Sequence, residues 1–380
     1  MIYLDNAATS WPKPESVYDA VAKVMRESGG NPGRSGHRLA LNAAREIRGA
    51  RDALASLFGI VDPDRIAFTL NATWAINIAL KGCLKPGDHV ICGSMEHNAV
   101  ARPLHTLERR GFLVSRVPSS PSTGLDPDAV RAAIRPDTRL VVTCHASNVS
   151  GAISPISEIG ALCRGRGIVF LVDAAQSAGS IPIDVEAMCI DMLAFPGHKG
   201  LLGPQGTGGL YVSPSVALST VIEGGTGSES RSLEQPDRMP DRFESGTPNT
   251  PGIAGLGAAA RFVLERGVEA IGQVEAGLCA RLADGLSRVP GVTVYGPSPG
   301  SPRASVVTIS IAGIDPADAA AILDDSFGIA SRAGLHCAPD AHESLGTLET
   351  GALRLSPGAF TSDEEIDACV NAIRAMAAQT

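Results

Sequence analysis

A chain of 380 residues with 44% hydrophobic and 19% charged side chains exceeds the usual limit for one compact core and has an ordinary globular balance, which sets aside disordered and membrane-embedded classes. A formal net charge of −8 argues against a general nucleic-acid or anionic-membrane binder, because such surfaces carry net or clustered positive charge. The start, Met1-Ile2-Tyr3-Leu4-Asp5-Asn6, shows no basic leader followed by an apolar stretch, so a soluble cytoplasmic protein is expected.

In chain order, helical patterns at 16–27 and 39–58 precede a short apolar strand at 65–69. Helices are then expected at 73–81, 98–110, 127–133 and 155–166, alternating with strands at 89–92, 113–117, 140–144, 169–172 and 192–194. That alternation predicts an α/β fold built on a mostly parallel sheet covered by helices. Residues 222–252 crowd Gly, Ser, Thr, Pro and Asp together, a loop composition that suits reaching a site or a partner subunit. A helix at 253–266 leads to strands at 292–295, 305–311 and 352–355, read as a smaller α/β unit. The expected division is a large domain over 16–252 and a small domain from 1–15 with 253–380.

Cysteines 83, 92, 144, 163, 189, 279, 337 and 369 are scattered, without Cys-x-x-Cys or Cys/His pairs at zinc-site spacing, so neither a metal site nor a disulfide framework is expected. Most lie in apolar runs such as Val142-Thr143-Cys144, where a buried inert thiol is the usual fate. Cys337 does not: Ser331-Arg332-Ala333-Gly334-Leu335-His336-Cys337-Ala338-Pro339 sets it beside a histidine and near an arginine in a Gly/Pro-bounded loop. Such an electropositive, exposed setting favours the nucleophilic thiolate.

Other chemistry-bearing segments follow strands. Ala194-Phe195-Pro196-Gly197-His198-Lys199-Gly200 presents a lysine from a Gly-rich turn, either a covalent anchor for a carbonyl cofactor or an exposed loop lysine. Asp173 ends the strand before Ala174-Ala175-Gln176; it suits a partner for a pyridine nitrogen or a simple helix cap. Asn71-Ala72-Thr73 opens a helix, where backbone N–H groups and the Thr73 hydroxyl suit a phosphate, or where Thr73 is an ordinary N-cap. His97 in Met95-Glu96-His97-Asn98 is placed to stack on a flat ring or to hydrogen-bond within its loop.

Taken in order, Tyr3-Leu4-Asp5-Asn6-Ala7-Ala8-Thr9, Asn31-Pro32-Gly33-Arg34-Ser35-Gly36-His37, the His97 and Asp173 segments, Ser147-Asn148-Val149-Ser150-Gly151, Gly197-His198-Lys199, Arg242-Phe243-Glu244-Ser245-Gly246-Thr247-Pro248-Asn249-Thr250 and Arg354-Leu355-Ser356 resemble the class V, fold-type I pyridoxal-phosphate enzymes. Within them the chain is similar to the cysteine desulfurase and selenocysteine lyase branch, along essentially its whole length. The resemblance implies that Lys199 binds pyridoxal 5'-phosphate covalently, Asp173 pairs its ring nitrogen, Gln176 meets its phenolic oxygen and His97 stacks on the ring. Ala72, Thr73 and His198 match phosphate-binding positions, Asn148 matches a contact to cofactor or substrate, and Thr247 matches a residue reaching the phosphate in the other subunit of a homodimer. Pro196 departs from the family, which commonly has Ser or Thr there, so one phosphate hydroxyl is missing.

The Cys337 loop resembles the short-loop, group II desulfurases, in which this cysteine accepts sulfur as a persulfide. Arg354, and with it Arg332, is implied in binding the substrate carboxylate, for which guanidinium geometry is suited. The implied activity converts L-cysteine to L-alanine with catalysis by Lys199, Cys337 and His97 as acid/base, and passes the sulfur to an acceptor protein. L-selenocysteine as substrate, and an aminotransferase or C–S lyase acting without a cysteine nucleophile, are the alternatives within the fold; a non-catalytic scaffold is the alternative outside it.

Overall fold

The computed structural model describes residues 1–33, 36–298 and 300–379; Arg34 and Ser35 of the 31–37 motif lie outside the described residues. The chain begins with β1 (Ile2–Tyr3), α1 (Glu15–Glu27), α2 (Arg38–Leu57), β2 (Ile66–Thr69), α3 (Ala72–Cys83), β3 (His89–Gly93), α4 (Asn98–Glu108) and β4 (Leu113–Val117). A short pair, β5 (Ser119–Ser120) and β6 (Gly124–Leu125), precedes α5 (Pro127–Ala133), β7 (Thr138–Cys144), α6 (Ile156–Arg164), β8 (Val169–Asp173), β9 (Met192–Pro196) and β10 (Gly208–Val212). Then come α7 (Thr250–Arg266), α8 (Val268–Ser287), β11 (Val292–Tyr295), β12 (Val307–Ile311), α9 (Pro316–Phe327), β13 (Ile329–Ala330), β14 (Arg332–Gly334), α10 (Pro339–Leu345), β15 (Ala352–Leu355) and α11 (Asp363–Ala377).

Among the described residues the main sheet has seven strands in the order β2-β10-β9-β8-β7-β3-β4. The β9-β8-β7-β3-β4 ladder is parallel, the α/β architecture that the alternating pattern predicts. Its inner strands β8 and β9 are buried along their whole length because helices cover both faces, whereas the edge strand β4 is largely open. On one face Phe170 and Phe195 meet Phe58, which follows α2, and Leu256 of α7; on the other Leu171 and Ala194 meet Ile76 of α3 and Leu104 of α4.

The antiparallel strand β10 was not anticipated, because Gly208-Gly209 reads as a turn. The glycines are required by packing: a Cβ on Gly209 would lie 2.4 Å from the Phe195 ring, and one on Gly208 would lie 2.7 Å from the Phe195 carbonyl.

A second sheet, β11-β12-β15-β14, forms its own core with α8, α9 and α11 around Leu282, Ile309, Leu323, Leu355 and Ile373, into which Leu4 inserts from the N-terminus. Helix α7, expected with the smaller unit, instead buries Ile253, Leu256, Ala260 and Val263 in the first core of the large sheet. Among the described residues no helix is long and apolar enough to cross a membrane.

The 222–252 segment is pinned to the large sheet by Glu244. Its Oε1 and Oε2 accept from Arg51 Nη1 at 2.8 Å and Nη2 at 3.1 Å, and Oε1 also accepts from Phe68 N–H at 2.7 Å. Arg51 is 4% exposed, donates to the Ile66 carbonyl and lies over the Phe68 ring at 4.6 Å. Removing one member leaves the other's polar group buried and unpaired, which costs far more than the net contribution of the pair. Glu244→Ala is therefore expected to destabilise the protein by roughly 3–5 kcal/mol in urea unfolding, with Arg51→Met/Glu244→Leu costing less than Glu244→Ala alone.

Candidate active site

Parallel strands deliver their following loops to one edge of the sheet, and the side chains singled out in the sequence arrive there from five strand ends. They line one cleft. Lys199 and His198 follow β9, Asp173 closes β8, Gln176 comes three residues later, Asn148 follows β7, His97 follows β3, and Ala72 and Thr73 open α3 after β2. Pro196, at the end of β9, also lines the cleft.

Lys199 keeps some exposed surface, yet the surrounding protein pulls its ammonium pKa down to about 8; burial is the main cause, and Arg354 and Arg332 add to it while Asp173 and Cys337 oppose it. Asp173 is buried, which raises its pKa. Its Oδ1 accepts from Ala175 N–H at 2.9 Å, and among the described residues Oδ2 has no hydrogen-bond partner. The turn carrying Lys199 is strapped by the N-terminal segment: Ser10 Oγ donates to the Lys199 carbonyl at 2.9 Å, and Ser10 N–H and Lys13 Nζ donate to the His198 carbonyl at 3.0 Å each. Neither Ser10 nor Lys13 carries a local sequence signal of this contact, which only the fold creates.

The histidines of the cleft are neutral. Burial first, then the charge of Lys199, brings His97 and His198 to about 4. His97 caps α4, its Nδ1 accepting from Ala99 N–H at 3.0 Å, so the ring proton sits on Nε2. As a base it would first have to surrender that cap. His198 Nδ1 is buried without a partner. At the start of α3 the N-cap is Asn71, accepting from Trp74 N–H at 3.0 Å, which resolves the alternative for Thr73: its hydroxyl is not used for capping.

Arg332 and Arg354 are direct cross-strand partners in the β14–β15 ladder, so the two guanidinium side chains share one face. Like charges opposed in this way are unfavourable unless an anion joins them. Arg354 is 2% exposed; Nη2 donates to Asp5 Oδ1 at 2.9 Å and Nη1 to the Asn148 carbonyl at 3.2 Å, while Nε is buried without a partner. Asp5, quoted above only as part of a motif, is thus the counter-ion of Arg354. Glu96, beside His97, is another residue the sequence left unassigned: it is 3% exposed, accepts from Cys144 N–H at 2.9 Å, and burial with the nearby Asp173 charge pushes it up to about 8.

Cys337 is exposed, whereas Cys83, Cys92, Cys163, Cys279 and Cys369 are buried. Its carbonyl accepts from Asn98 N–H at 2.8 Å, immediately after His97, and the His336 carbonyl accepts from Asn148 Nδ2 at 2.7 Å. The expected positive contribution of His336 is absent: the ring is 4% exposed and burial holds its pKa down to about 3, so Lys199, Arg332 and Arg354 supply the local positive charge. Thr247 is not brought into this cleft. It is exposed and lines a separate cavity with Leu70 and Trp74.

Residues 2–369 match the model of the aminotransferase class-V family. The chain is 36% identical to a probable cysteine desulfurase of Methanothermobacter thermautotrophicus, over 96% of this chain and 92% of that one. Among solved structures it resembles an apo cysteine desulfurase from Thermococcus onnurineus NA1, with a TM-score of 0.94 and 32% identity over 100% of this chain and 95% of that one. It also resembles the cysteine desulfurase CsdA of Escherichia coli in an S-sulfonic acid form, with a TM-score of 0.89 and 30% identity over 99% and 94%. With its family model spanning nearly the whole sequence and its cleft at the carboxyl edge of the sheet, the chain belongs to the aminotransferase class-V family.

Proposed function

We propose that the protein is a pyridoxal-phosphate-dependent cysteine desulfurase, in which Lys199 anchors the cofactor and Cys337 takes sulfur from L-cysteine. The observation that carries this reading is the placement of the exposed cysteine: its loop is tied by Asn98 N–H and Asn148 Nδ2 to the two segments that flank the Lys199 cleft. A thiol with a structural role would sit in the core, as five of the other cysteines do.

The cleft fits the cofactor on its own chemistry. Asp173 Oδ2 lacks a partner and suits a protonated ring nitrogen, His198 Nδ1 is an orphaned buried atom beside the phosphate end, and the first-turn N–H groups of Ala72 and Thr73 favour an anion. Neutral His97 offers a flat ring. Gln176 Nε2 donates to the Ala7 carbonyl at 3.1 Å and keeps a second N–H for the phenolic oxygen. When bound, the cofactor supplies an electron sink that acidifies the substrate Cα–H and loosens the Cβ–S bond.

The remaining work falls to the chain. Arg354 and Arg332 hold the substrate carboxylate between their opposed guanidiniums, Arg354 Nε finding in it the acceptor it lacks. Lys199 Nζ takes the proton from Cα, and its depressed pKa makes the amine a competent base near neutrality. Cys337 thiolate attacks the substrate sulfur: an S–S bond forms as the Cβ–S bond breaks, Cβ gains a proton, and the products are L-alanine and a Cys337 persulfide. The two sulfurs are oxidised by as much as Cβ is reduced, so no outside oxidant is needed; an acceptor protein then removes the sulfur. A homodimer completes the site, because Thr247 lies beside the exposed Leu70 and Trp74, away from its own cleft and available to a second copy's phosphate.

Two measurements test this. Anaerobic incubation with L-cysteine and reductant is expected to yield alanine, and Cys337→Ala to lose it by roughly 10³-fold or more while keeping the yellow cofactor; equal alanine from both proteins would sink the persulfide reaction. The second concerns pH. Capture of the cofactor needs neutral Lys199, and with a pKa of about 8 the neutral fraction is about one tenth at pH 7. Reconstitution of cofactor-free protein should accelerate as pH rises toward about 8 and level off above it; a profile flat across that range would contradict the placement of Lys199.

A further inference from the structure

The loop between β14 and α10 adopts an unusual backbone. Gly334, His336 and Cys337 have φ of 107°, 50° and 57°, and only glycine occupies that region without strain. Asn98 and Asn148 hold the loop from the cleft side. From the inner side it is held by a chain of side chains: His336 Nε2 lies 3.1 Å from the Arg332 carbonyl, His336 Nδ1 lies 3.0 Å from His342 Nε2, and His342 Nδ1 lies 2.8 Å from Thr347 Oγ1. The rings stack with centroids 5.2 Å apart, and His342 and Thr347 are 0% and 3% exposed.

The direction of every proton in this chain can be worked out. A carbonyl only accepts, so His336 carries its proton on Nε2 and is an acceptor at Nδ1. His342 must then donate from Nε2, which leaves its Nδ1 to accept from the Thr347 hydroxyl. Reversed polarity would set the bare Nε2 of His336 against the Arg332 oxygen, two acceptors face to face. Both histidines are buried, which lowers their pKa and keeps them neutral.

Resting on the reading that Cys337 is the sulfur-accepting thiol, we propose that Thr347 and His342 are positioning residues for Cys337: the directed chain Thr347→His342→His336→Arg332 carbonyl holds the cysteine loop in its left-handed shape at the cleft. The Arg332 carbonyl sets the polarity, and the Thr347 hydroxyl, 2.8 Å from His342 Nδ1 and 3.4 Å from the His342 carbonyl, supplies the donor that this polarity demands. Without its hydroxyl, His342 Nδ1 is an unpaired buried acceptor, and any tautomer change that relieves it breaks a bond to His336.

The test uses the cofactor-loaded enzyme and the variants Thr347→Val, Thr347→Ser and His342→Phe. Thr347→Val and His342→Phe are expected to lower kcat for alanine release, per bound cofactor, by roughly tenfold or more, with KM for L-cysteine within about threefold; Thr347→Ser restores the hydroxyl and should stay near the parent. Hydrogen exchange of peptides covering 332–342 should quicken in the first two variants only, with peptides from the main sheet unchanged. Exchange of the loop that is unaltered in Thr347→Val, or a loss of kcat shared equally by Thr347→Ser, overturns the proposal. If the parent protein makes no alanine, the desulfurase reading fails, while the exchange comparison still decides whether the chain holds the loop.

Discussion

The constraint on which this molecule turns is an excess of cations in a poorly solvated cleft. Lys199, Arg332 and Arg354 converge there, with Asp173 and Asp5 as the nearby carboxylates. The buried histidines and Glu96 around them give up charge. His97, His198 and His336 are driven far below their ordinary range, and Glu96, next to Asp173, is driven up. Burial starts each shift, and the neighbours' charges add to it. A cleft with this balance is a poor place for a further cation and a good one for a carboxylate or a thiolate, which are the two anions that the proposed reaction brings in.

That balance requires parts from distant regions of the chain to meet. The first ten residues cross from the small unit, where Leu4 is buried, through Asp5 on Arg354, to Ser10 on the backbone of Lys199. Asn148 bridges the same gap from the large unit: its side chain holds the His336 carbonyl and its own carbonyl receives Arg354. The lysine from one sheet and the arginines and cysteine from the other are therefore fixed relative to one another by short hydrogen bonds. Proximity and orientation are arranged before any substrate arrives.

The parallel sheet and the strand-end residues were legible in the sequence because their signals are local. Asp173, Lys199, Asn148 and His97 each follow an apolar run, and the topology of parallel strands sends all such ends to one edge. What could not be read depends on who meets whom across the fold. Asp5 shows no sign in its own neighbourhood that Arg354 needs it. Gly208-Gly209 reads as a turn until Phe195 is known to press on it. His336 reads as a charged neighbour of Cys337 until its ring is found turned inward onto His342, and Thr347 carries no sequence signal at all, since its importance lies in one proton.

The cysteine loop shows how such a proton gains leverage. Left-handed backbone at His336 and Cys337 costs on the order of 1–2 kcal/mol per residue, so the loop keeps its shape only while several bonds agree on it. The bonds on the cleft side come from Asn98, next to His97, and from Asn148, whose carbonyl receives Arg354, and those on the inner side end at Thr347. A shift on either side is felt at the sulfur, because the backbone between them has no relaxed alternative close by. A thiol held in this way has little reach of its own. On the proposed reading, sulfur accepted on Cys337 is collected where it forms, by an acceptor that comes to this thiol, and the exposure of Cys337 between the buried His336 and Ala338 leaves it open to that approach.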